Sequence, residues 1–532
     1  MAAAPEHRDV LIVGAGFSGL YLLHRLRQRD LQAHLVDRAP SVGGTWYWNR
    51  YPGCRCDVES MTYSYSFDEE LEQEWSWSTR YADQPEILRY LNHVADRFDL
   101  RRDIQLETSV TAARWDEDAS LWRVTTNHGE LTARWFVMAT GCLSIPNTPR
   151  FPGLDRFDGA WYHTAAWPED GVDFTGQRVG VIGTGSTGIQ TIPQVAAQAE
   201  QLTVFQRTPN FSIPAWNGPM DPAAEAARKA IYRETRATAR RGPTGDIWPE
   251  STSTALAVSA EEREAEYERR WHEGSFSFLS SFHDITTDET ANETAAEFVR
   301  NKIRATVTDP AVAELLCPYN HPLGTKRLCV DTDYYATYNR PNVTLVDIKD
   351  APIEEITETG LITGGTEYAF DSLIFATGFD SMTGALLAVD IRGRNDQSLR
   401  DLWAEGPHSY LGLTVHGFPN LFTMTGPGSP SVLSNMMTSI EQHVEWVDEC
   451  IGHLSEQGQT TIEATPDAQA DWDQQVHDEA YATLYPRAAS WYMGANIPGK
   501  PRVFLPYIGG VGKYTEICAN VAADGYRGFV VA

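Results

Sequence analysis

The chain has 532 residues, enough for several folding units with substantial cores, so a small protein held together by disulfides is excluded. Its 72 acidic residues outnumber 43 basic ones, and the net charge of -29 argues against nucleic acid or an anionic membrane surface as a partner. Seven scattered cysteines and the lack of ~20 consecutive apolar residues favour a cytoplasmic protein without a membrane span.

A strand, a glycine-rich turn and a helix are predicted at the start of the sequence. Asp9–Val13 is a short apolar run, the hexad Gly-Ala-Gly-Phe-Ser-Gly follows at 14–19, and helical apolar spacing continues over Leu20–Leu26 to a second strand ending at Asp37. In such a unit one glycine makes the tight turn, one lets the backbone approach a pyrophosphate, and one packs the helix on the strand. The glycines at motif spacing, with no cleavage site after them, distinguish this stretch from a signal peptide.

The same pattern recurs far downstream. Arg178–Ile182 is a predicted strand, Gly-Thr-Gly-Ser-Thr-Gly follows at 183–188, and a helical stretch leads to a strand that ends at Arg207. One such hexad is weak evidence, but two, each after a strand and before a helix, indicate two dinucleotide-binding sites. Asp37 can accept hydrogen bonds from ribose hydroxyls, whereas Arg207 suits a 2′-phosphate. We therefore assign FAD to the first site and NADPH to the second.

Two further strand ends mark the domain organisation. Trp135–Met138 leads into Ala-Thr-Gly at 139–141, and Leu373–Phe375 leads into the same tripeptide at 376–378. They predict an FAD domain over 1–142 and 380–532 and an NADP domain over 143–215 and 320–379. Residues 216–319 are predicted to be a helical insertion in the NADP domain, because Ala295, Phe298, Val299 and Ile303 share one helical face. The fold class is thus α/β, with two Rossmann-like domains and this insertion.

Flavoproteins with both cofactors include disulfide reductases, which carry a redox dithiol shortly after the FAD strand. Here Gly43-Gly44-Thr45 is followed by Trp46 and Tyr51 where those cysteines would stand. Cys54 and Cys56 have the wrong spacing and are predicted to be structural thiols. The aromatic run around Trp46 is either core or a contact of the flavin. No metal site is predicted.

At this point the sequence resembles the flavin-dependent Baeyer–Villiger monooxygenases over nearly its whole length. The family fingerprint is matched by Phe157, Gly159, His163 and Trp167, which lie between the first Ala-Thr-Gly and the second hexad. A second signature fits with Gly43-Gly44-Thr45-Trp46, then Tyr51-Pro52-Gly53 and Asp57. His163 is expected to orient a hydrogen bond and not to act as a general base.

The resemblance also implies the catalytic and binding residues. The segment Gly324–Arg327 resembles the one that carries the active-site arginine, so Arg327 is the predicted catalytic residue and Asp57 its carboxylate partner. The loop at 426–436 resembles the pocket loop of phenylacetone and steroid monooxygenases, which places Ser431, Val432, Leu433 and Met436 in the substrate pocket. The predicted cofactor-binding residues are Gly14, Gly16, Phe17, Ser18, Gly19, Asp37, Arg38, Gly44, Thr45, Trp46, Tyr51, Asp57, Thr140, Gly141, Gly183, Thr184, Gly185, Ser186, Thr187, Gly188, Arg207, Thr208, Lys326, Arg327, Thr377, Gly378 and Trp491.

The implied reaction uses NADPH to reduce FAD, after which O2 adds at the flavin C4a carbon and the resulting peroxide attacks a ketone to give an ester or lactone. Arginine suits this site because it cannot lose its proton and presents several donors in one plane. Two alternatives remain open at this stage: a heteroatom-oxidising flavin monooxygenase, and a non-catalytic NADP- and flavin-binding redox sensor. A sensor has no need of Arg327 or Asp57.

Overall fold

Two β-sheets, each with a glycine-rich turn at its carboxyl edge, organise the chain in the computed structural model, which describes residues 6–532. In these residues the strands are β1 (Glu6–Val13), β2 (Ala33–Val36), β3 (Ile104–Gln105), β4 (Val110–Asp116), β5 (Leu121–Thr126), β6 (Gly129–Met138), β7 (Ala160–His163), β8 (Arg178–Ile182), β9 (Gln201–Gln206), β10 (Ser212–Pro214), β11 (Cys329–Asp331), β12 (Val343–Asp347), β13 (Ile353–Ile356), β14 (Gly360–Thr363), β15 (Thr366–Ala369), β16 (Ser372–Phe375), β17 (Asp390–Arg392), β18 (Leu421–Thr423), β19 (Ile462–Ala464) and β20 (Phe529–Val531). The α-helices of the same range are α1 (Phe17–Arg27), α2 (Thr45–Trp48), α3 (Glu69–Glu74), α4 (Gln84–Arg97), α5 (Ser186–Ala196), α6 (Pro222–Lys229), α7 (Tyr232–Arg241), α8 (Ala260–Glu273), α9 (Glu289–Thr306), α10 (Pro310–Leu316), α11 (Tyr334–Thr337), α12 (Gly384–Leu387), α13 (Leu399–Leu402), α14 (Met436–Glu456), α15 (Pro466–Tyr481) and α16 (Val511–Ala523).

The larger sheet has the strand order β17-β4-β5-β6-β1-β2-β3, with β18 paired to β6. At its centre β1 pairs in parallel with β2 and β6. Leu11 and Ile12 are both fully buried and belong to different cores, so β1 is covered on both faces. Parallel strands buried on both faces, followed by a glycine turn and a helix, form the Rossmann-like arrangement predicted for the FAD domain.

The second sheet has the order β12-β9-β8-β16-β7 and is parallel throughout. Strand β8 has the predicted bounds, and β9 ends one residue before Arg207. Val181 and Ile182 lie in different cores on the two faces of the sheet. Both predicted dinucleotide folds are therefore present, accompanied by three short sheets, β10-β11, β13-β14-β15 and β19-β20.

Two antiparallel linkers connect the sheets. They begin after the predicted strand ends at Met138 and Phe375, and they hydrogen-bond to each other through Asn147 N to Gly378 O (2.9 Å) and Met382 N to Cys142 O (2.9 Å). Paired linkers of this kind tie the two sheets together at their carboxyl edges, where ligands bind in open α/β folds. The exact domain boundaries remain a prediction.

The helices between residues 216 and 319 do not form one unit. Tyr232 on α7 is buried in the core of the FAD domain, and Arg236 on the same helix donates to the carbonyls of Met61 (3.1 Å) and Thr62 (3.0 Å). The buried face of α9, including Phe298, belongs to the core of the second sheet. The helical character is as predicted, but α7 differs from the expected insertion in the NADP domain, because its apolar partners lie in the core of the larger sheet. Within residues 6–532, no helix is long and apolar enough to cross a membrane.

Candidate active site

A cavity of about 900 Å³ lies where the carboxyl edges of the two sheets face each other. Both glycine turns, both linkers, Asp57 and the segment around Arg327 line it. All the predicted cofactor-binding residues except Gly19 and Gly188 are among its lining residues. The two sequence-distant nucleotide motifs thus open into one shared space.

The glycine turns present backbone N–H groups to this cavity. Helices α1 and α5 begin after Gly16 and Gly185, and neither helix has a side-chain cap at its N-terminus. The first-turn N–H groups of both helices are therefore free to bind phosphate oxygens. A side chain at Gly19 or Gly188 would collide with the carbonyl oxygen of Gly14 or Gly183, so these two glycines pack helix on strand, away from the cavity. The turns fit two dinucleotides, FAD and NADPH.

Asp37 has a second function besides the predicted ribose contact. Its Oδ2 accepts a hydrogen bond from the backbone N–H of Ala15 (2.6 Å), and its Oδ1 accepts one from Ala39 (2.8 Å). Burial raises the pKa of Asp37, although both hydrogen bonds oppose this shift. The carboxylate therefore stabilises the conformation of the first glycine turn through Ala15. Its binding to ribose stays a prediction.

Arg207, Thr208 and Lys326 come together at the NADP side of the cavity. Thr184 Oγ1 donates to the carbonyl of Thr208 (3.0 Å), which fixes the loop after β9 to the second glycine turn. Lys326 Nζ donates to the carbonyl of Ala489 (2.7 Å). Burial, and then the positive charge of Arg207, lower the pKa of Lys326 to about 8. In the described part of the chain neither cation forms a salt bridge, so this pair attracts an anion such as a 2′-phosphate.

We predict that the KM for NADPH rises as the pH increases from about 7 to about 9, while the KM for NADH stays level. Below pH 8 Lys326 is an ammonium group that meets the 2′-phosphate, and above this pH the free protein loses that charge. Steady-state kinetics with both coenzymes measure this, and Lys326→Ala should flatten the NADPH profile. An equal rise with both coenzymes would show that a different group titrates.

Arg327 and Asp57, 270 positions apart, form a bidentate ion pair. Arg327 Nε lies 2.7 Å from Asp57 Oδ2, and its Nη2 lies 2.9 Å from Oδ1. The remaining Nη1 donates to the carbonyl of Val432 (2.9 Å), and the guanidinium lies 4.9 Å from the ring centre of Phe276. Although burial opposes the charge, Asp57 and Tyr492 hold the pKa of Arg327 above its ordinary value. The arginine is thus a fixed positive charge at the wall of the cavity.

The pocket loop was predicted only in part. Val432 and Met436 line the cavity, but Ser431 and Leu433 do not. Residues 431–433 form a 3-10 turn, in which successive side chains point about 120° apart, so neighbours of Val432 point elsewhere. Ser431 is fully buried, and Leu433 packs on the core around Tyr485. These two residues do not line the cavity in this structure, and their place in the substrate pocket stays a prediction.

Three polar residues of the cavity wall were missed by sequence reasoning. Thr425 Oγ1, Ser490 Oγ and Asn496 Oδ1 are buried atoms without a hydrogen-bond partner, and all three residues line the cavity. Thr425 also has φ +54°, which is rare for a β-branched residue. Unpaired buried polar atoms next to a cavity fit a polar ligand that pairs them. The only sequence signal was that Ser490 and Asn496 bound the segment 490–496 that contains Trp491.

The aromatic run near the first turn faces both the cavity and the core. Trp46 lines the cavity and its Nε1 donates to the hydroxyl of Tyr63 (3.2 Å), while the Tyr51 hydroxyl donates to Gln190 Oε1 (2.8 Å). Cys54 and Cys56 are buried free thiols whose pKa values are raised by burial. A buried thiol with a raised pKa is a poor nucleophile, in keeping with a structural role.

The fingerprint residues lie outside the cavity wall. Phe157 and Trp167 are buried in cores of the NADP domain, and a side chain at Gly159 would lie 2.5 Å from the carbonyl oxygen of Asp371. His163 is buried, and its Nε2 joins the fingerprint to the linker that follows Phe375, through Thr377.

Hydrogen bonds fix the tautomer of His163. Nδ1 accepts from the N–H of Ala165 (3.1 Å), and Nε2 lies 3.0 Å from Thr377 Oγ1. Because the Thr377 hydroxyl donates its proton to the carbonyl of Asn147 (2.7 Å), Nε2 carries the hydrogen and donates to Thr377. Burial lowers the pKa of His163, so the ring is neutral. Its geometry fits the predicted orienting role toward a cavity-lining linker.

We predict that His163→Ala slows oxygenation by roughly tenfold to a hundredfold while FAD remains bound and reducible by NADPH. His163 does not line the cavity and reaches it only through its hydrogen bond to Thr377, which does. Without the ring, Thr377 and the linker that carries it would lose their position. Flavin content and stopped-flow reduction measure this, with the exposed His128→Ala as control. Loss of bound flavin in His163→Ala would mean that the fingerprint is purely structural.

Comparison with known proteins identifies the family. A pyridine nucleotide-disulphide oxidoreductase model matches residues 11–234. The acetone monooxygenase (methyl acetate-forming) of Gordonia sp. (strain TY-5) is 44% identical over 98% of this chain and 99% of its own. The Baeyer-Villiger monooxygenase of Pseudooceanicola batsensis is 44% identical over 98% and 96%. The phenazine N-monooxygenase PhzNO1 of Lysobacter antibioticus is 43% identical over 99% and 97%.

A solved structure of another monooxygenase has the same fold as this chain. An oxidized steroid monooxygenase bound to NADP is 54% identical, has a TM-score of 0.95, and covers 99% of this chain with 99% of its own. The curated relatives and this structure each match nearly the whole of the chain, at identities between 43% and 54%. The chain therefore belongs to the flavin-dependent Baeyer–Villiger monooxygenase family, and its cofactors are FAD and NADPH.

Proposed function

We propose that this protein uses NADPH and O2 to insert one oxygen atom beside the carbonyl group of a small-molecule ketone, giving an ester or a lactone. The observation that carries this proposal is the Arg327–Asp57 pair on the wall of the cavity that both glycine turns share. Bound FAD, reduced by NADPH, supplies the chemistry that activates O2.

Arg327 supplies a permanent positive charge for the oxyanions that form during oxygen transfer. It cannot lose its proton at any working pH, so it stabilises an anion without protonating it. Asp57 fixes the plane of the guanidinium through two hydrogen bonds, while Val432 O takes a third N–H. A preorganised donor of this kind needs no rearrangement when the negative charge appears.

The wall next to Arg327 suits a neutral organic substrate. Val432, whose carbonyl accepts from Arg327, lines the cavity together with Met436 and Ile440, and the Phe276 ring lies against the guanidinium. Apolar side chains favour the entry of a ketone over bulk water and strengthen the field of the arginine. Val432, Met436 and Ile440 form the proposed ketone pocket, together with Ser434, which also lines the cavity.

Oxidation of a nitrogen heteroatom is the second candidate function. It is favoured by one observation, the 43% identity to the phenazine N-monooxygenase. Such a reaction forms no tetrahedral adduct at a carbonyl, so it depends less on Arg327 than ketone oxidation does. A purely regulatory redox sensor is not supported, because it would have no use for this ion pair.

A substrate screen tests the proposal. Holoenzyme is incubated with NADPH, O2 and linear, cyclic, aromatic or steroidal ketones, with phenazine as the heteroatom probe. We expect ester or lactone from at least one ketone, in proportion to the NADPH consumed. Formation of the N-oxide alone would favour the second candidate.

We also propose a reducing compartment, the cytoplasm, for this protein. All seven cysteines are free and buried in the structure. Thiols of this kind persist where the environment keeps them reduced.

A further inference from the structure

Asp246 is a buried carboxylate in the segment between α7 and α8, 5% exposed. Its Oδ1 accepts from the N–H of Ile247 (2.8 Å), and its Oδ2 accepts from Thr62 Oγ1 (3.1 Å) and Asn435 Nδ2 (3.4 Å). In the described residues it forms no salt bridge. A buried carboxylate without a cation costs stability, so a purely stabilising role does not account for it.

The segment that carries Asp246 runs along the first turn of α14. Asn435, the N-cap of α14, donates its backbone N–H to the carbonyl of Thr244 (2.8 Å) and its side-chain Nδ2 to the carbonyl of Thr62 (2.9 Å). Thr438 Oγ1 donates to the carbonyl of Gly245 (2.7 Å). Three parts of the chain, around Thr62, Thr244–Asp246 and Asn435, thus meet at the carboxylate of Asp246.

This turn of α14 forms part of the proposed ketone pocket. Met436 and Ile440 line the cavity, and the preceding loop presents the carbonyl of Val432 to Arg327 at 2.9 Å. A shift of the α14 N-terminus would therefore move the apolar wall relative to the guanidinium. Displacements on the order of 1 Å are enough to change the orientation of a bound substrate.

We infer that Asp246 is a positioning residue of the ketone pocket, which sets the distance between the α14 wall and Arg327 by fixing Asn435 to Thr62. This inference rests on the proposed ketone oxidation. Burial, with Glu59 adding to it and Arg236 opposing it, raises the pKa of Asp246 to about 6. The group is therefore ionised at pH 8 and accepts all three hydrogen bonds there.

Asp246→Asn is the sharpest variant, because it changes hydrogen-bonding capacity without changing shape. The Ile247 N–H requires an acceptor, so the amide oxygen takes the place of Oδ1 and the NH2 group takes the place of Oδ2. That NH2 group then faces the NH2 group of Asn435, two donors in contact. The Asn435 Nδ2 then keeps only the carbonyl of Thr62 as an acceptor and is repelled on its other side, which shifts the N-cap of α14.

The test compares holoenzymes of wild type and Asp246→Asn at pH 8 with cyclohexanone and 2-phenylcyclohexanone. We expect the ratio of the two kcat/KM values to change by at least about fivefold. The KM for NADPH, the FAD content and the rate of flavin reduction should stay within about twofold of wild type, since none of the predicted cofactor-binding residues lies on α14. Hydrogen exchange of residues 431–440 should become faster.

The matched control is Asp288→Asn, which changes an exposed aspartate that caps α9 by accepting from the N–H of Ala291 (2.8 Å). Asparagine caps a helix nearly as well, so this variant should keep the wild-type ratio. A wild-type ratio in Asp246→Asn would overturn the inference. So would an equal loss of ketone oxidation, NADPH binding and FAD content, which indicates a merely structural role. If wild type itself oxidises neither ketone nor any other, the proposed function fails instead.

Discussion

Arg327→Ala should abolish detectable ester formation while FAD remains bound. The guanidinium stabilises the oxyanions of oxygen transfer, and removing a donor of this kind costs ~2.7–4 kcal/mol, or ~10²–10³ in kcat. The loss should exceed this range, because Asp57 would keep a negative charge in the cavity with its bidentate partner gone. Product analysis by gas chromatography, with flavin absorbance of the same sample, measures both expectations.

Two companion variants test the geometry of the ion pair. Arg327→Lys should not restore activity, because an ammonium group lacks the planar fork that now meets Asp57 with two N–H groups and Val432 O with a third. Asp57→Ala should be milder, slowing reduction and oxygenation together because the guanidinium loses its fixed orientation. Wild-type ester yields from Arg327→Ala would disprove the role assigned to this residue.

Arg207→Ala should raise the KM for NADPH by ten- to a hundredfold and leave the KM for NADH nearly unchanged. A charge-assisted hydrogen bond to a phosphate contributes ~1.5–3 kcal/mol, which corresponds to that range. Arg207 is exposed at the cavity beside Lys326, and NADH has no 2′-phosphate for it to bind. Initial rates with varied coenzyme measure the effect.

Arg340→Ala provides the control for this variant. Arg340 is an exposed arginine of the same domain that contacts Asn342 and does not line the cavity. Its removal changes net charge by the same amount and should leave both KM values unchanged. Equal losses with NADPH and NADH in Arg207→Ala would refute its assignment to the 2′-phosphate.

The sequence predicts best those features that depend on local backbone requirements. Strand β8 has the predicted bounds, and both glycine turns stand at strand ends because their glycines are needed for turn and packing. The contact between Asp57 and Arg327 was also predicted, although 270 residues separate them. Here the resemblance to the family supplied the pairing, and the cost of an unpaired buried arginine supplied the reason.

Features that depend on tertiary packing were not predicted. The apolar spacing of α7 would be the same whichever core Tyr232 entered. The sequence therefore does not predict that α7 packs on the FAD domain. Residues 431–433 have no sequence periodicity that predicts a 3-10 turn, and this turn is what points Ser431 and Leu433 away from the cavity. The unpaired hydroxyl of Thr425 likewise becomes visible only when its surroundings are known.

Oxidation of a ketone in isotopically labelled O2 tests the central claim most directly. Holoenzyme is supplied with NADPH, a cyclic ketone and labelled O2, and the product is analysed by mass spectrometry alongside NADPH and peroxide assays. We predict a lactone that contains one labelled oxygen atom in the ring, formed in equal amount to the NADPH oxidised. Consumption of NADPH with hydrogen peroxide as the only oxygen-derived product, across all ketones supplied, would contradict the account.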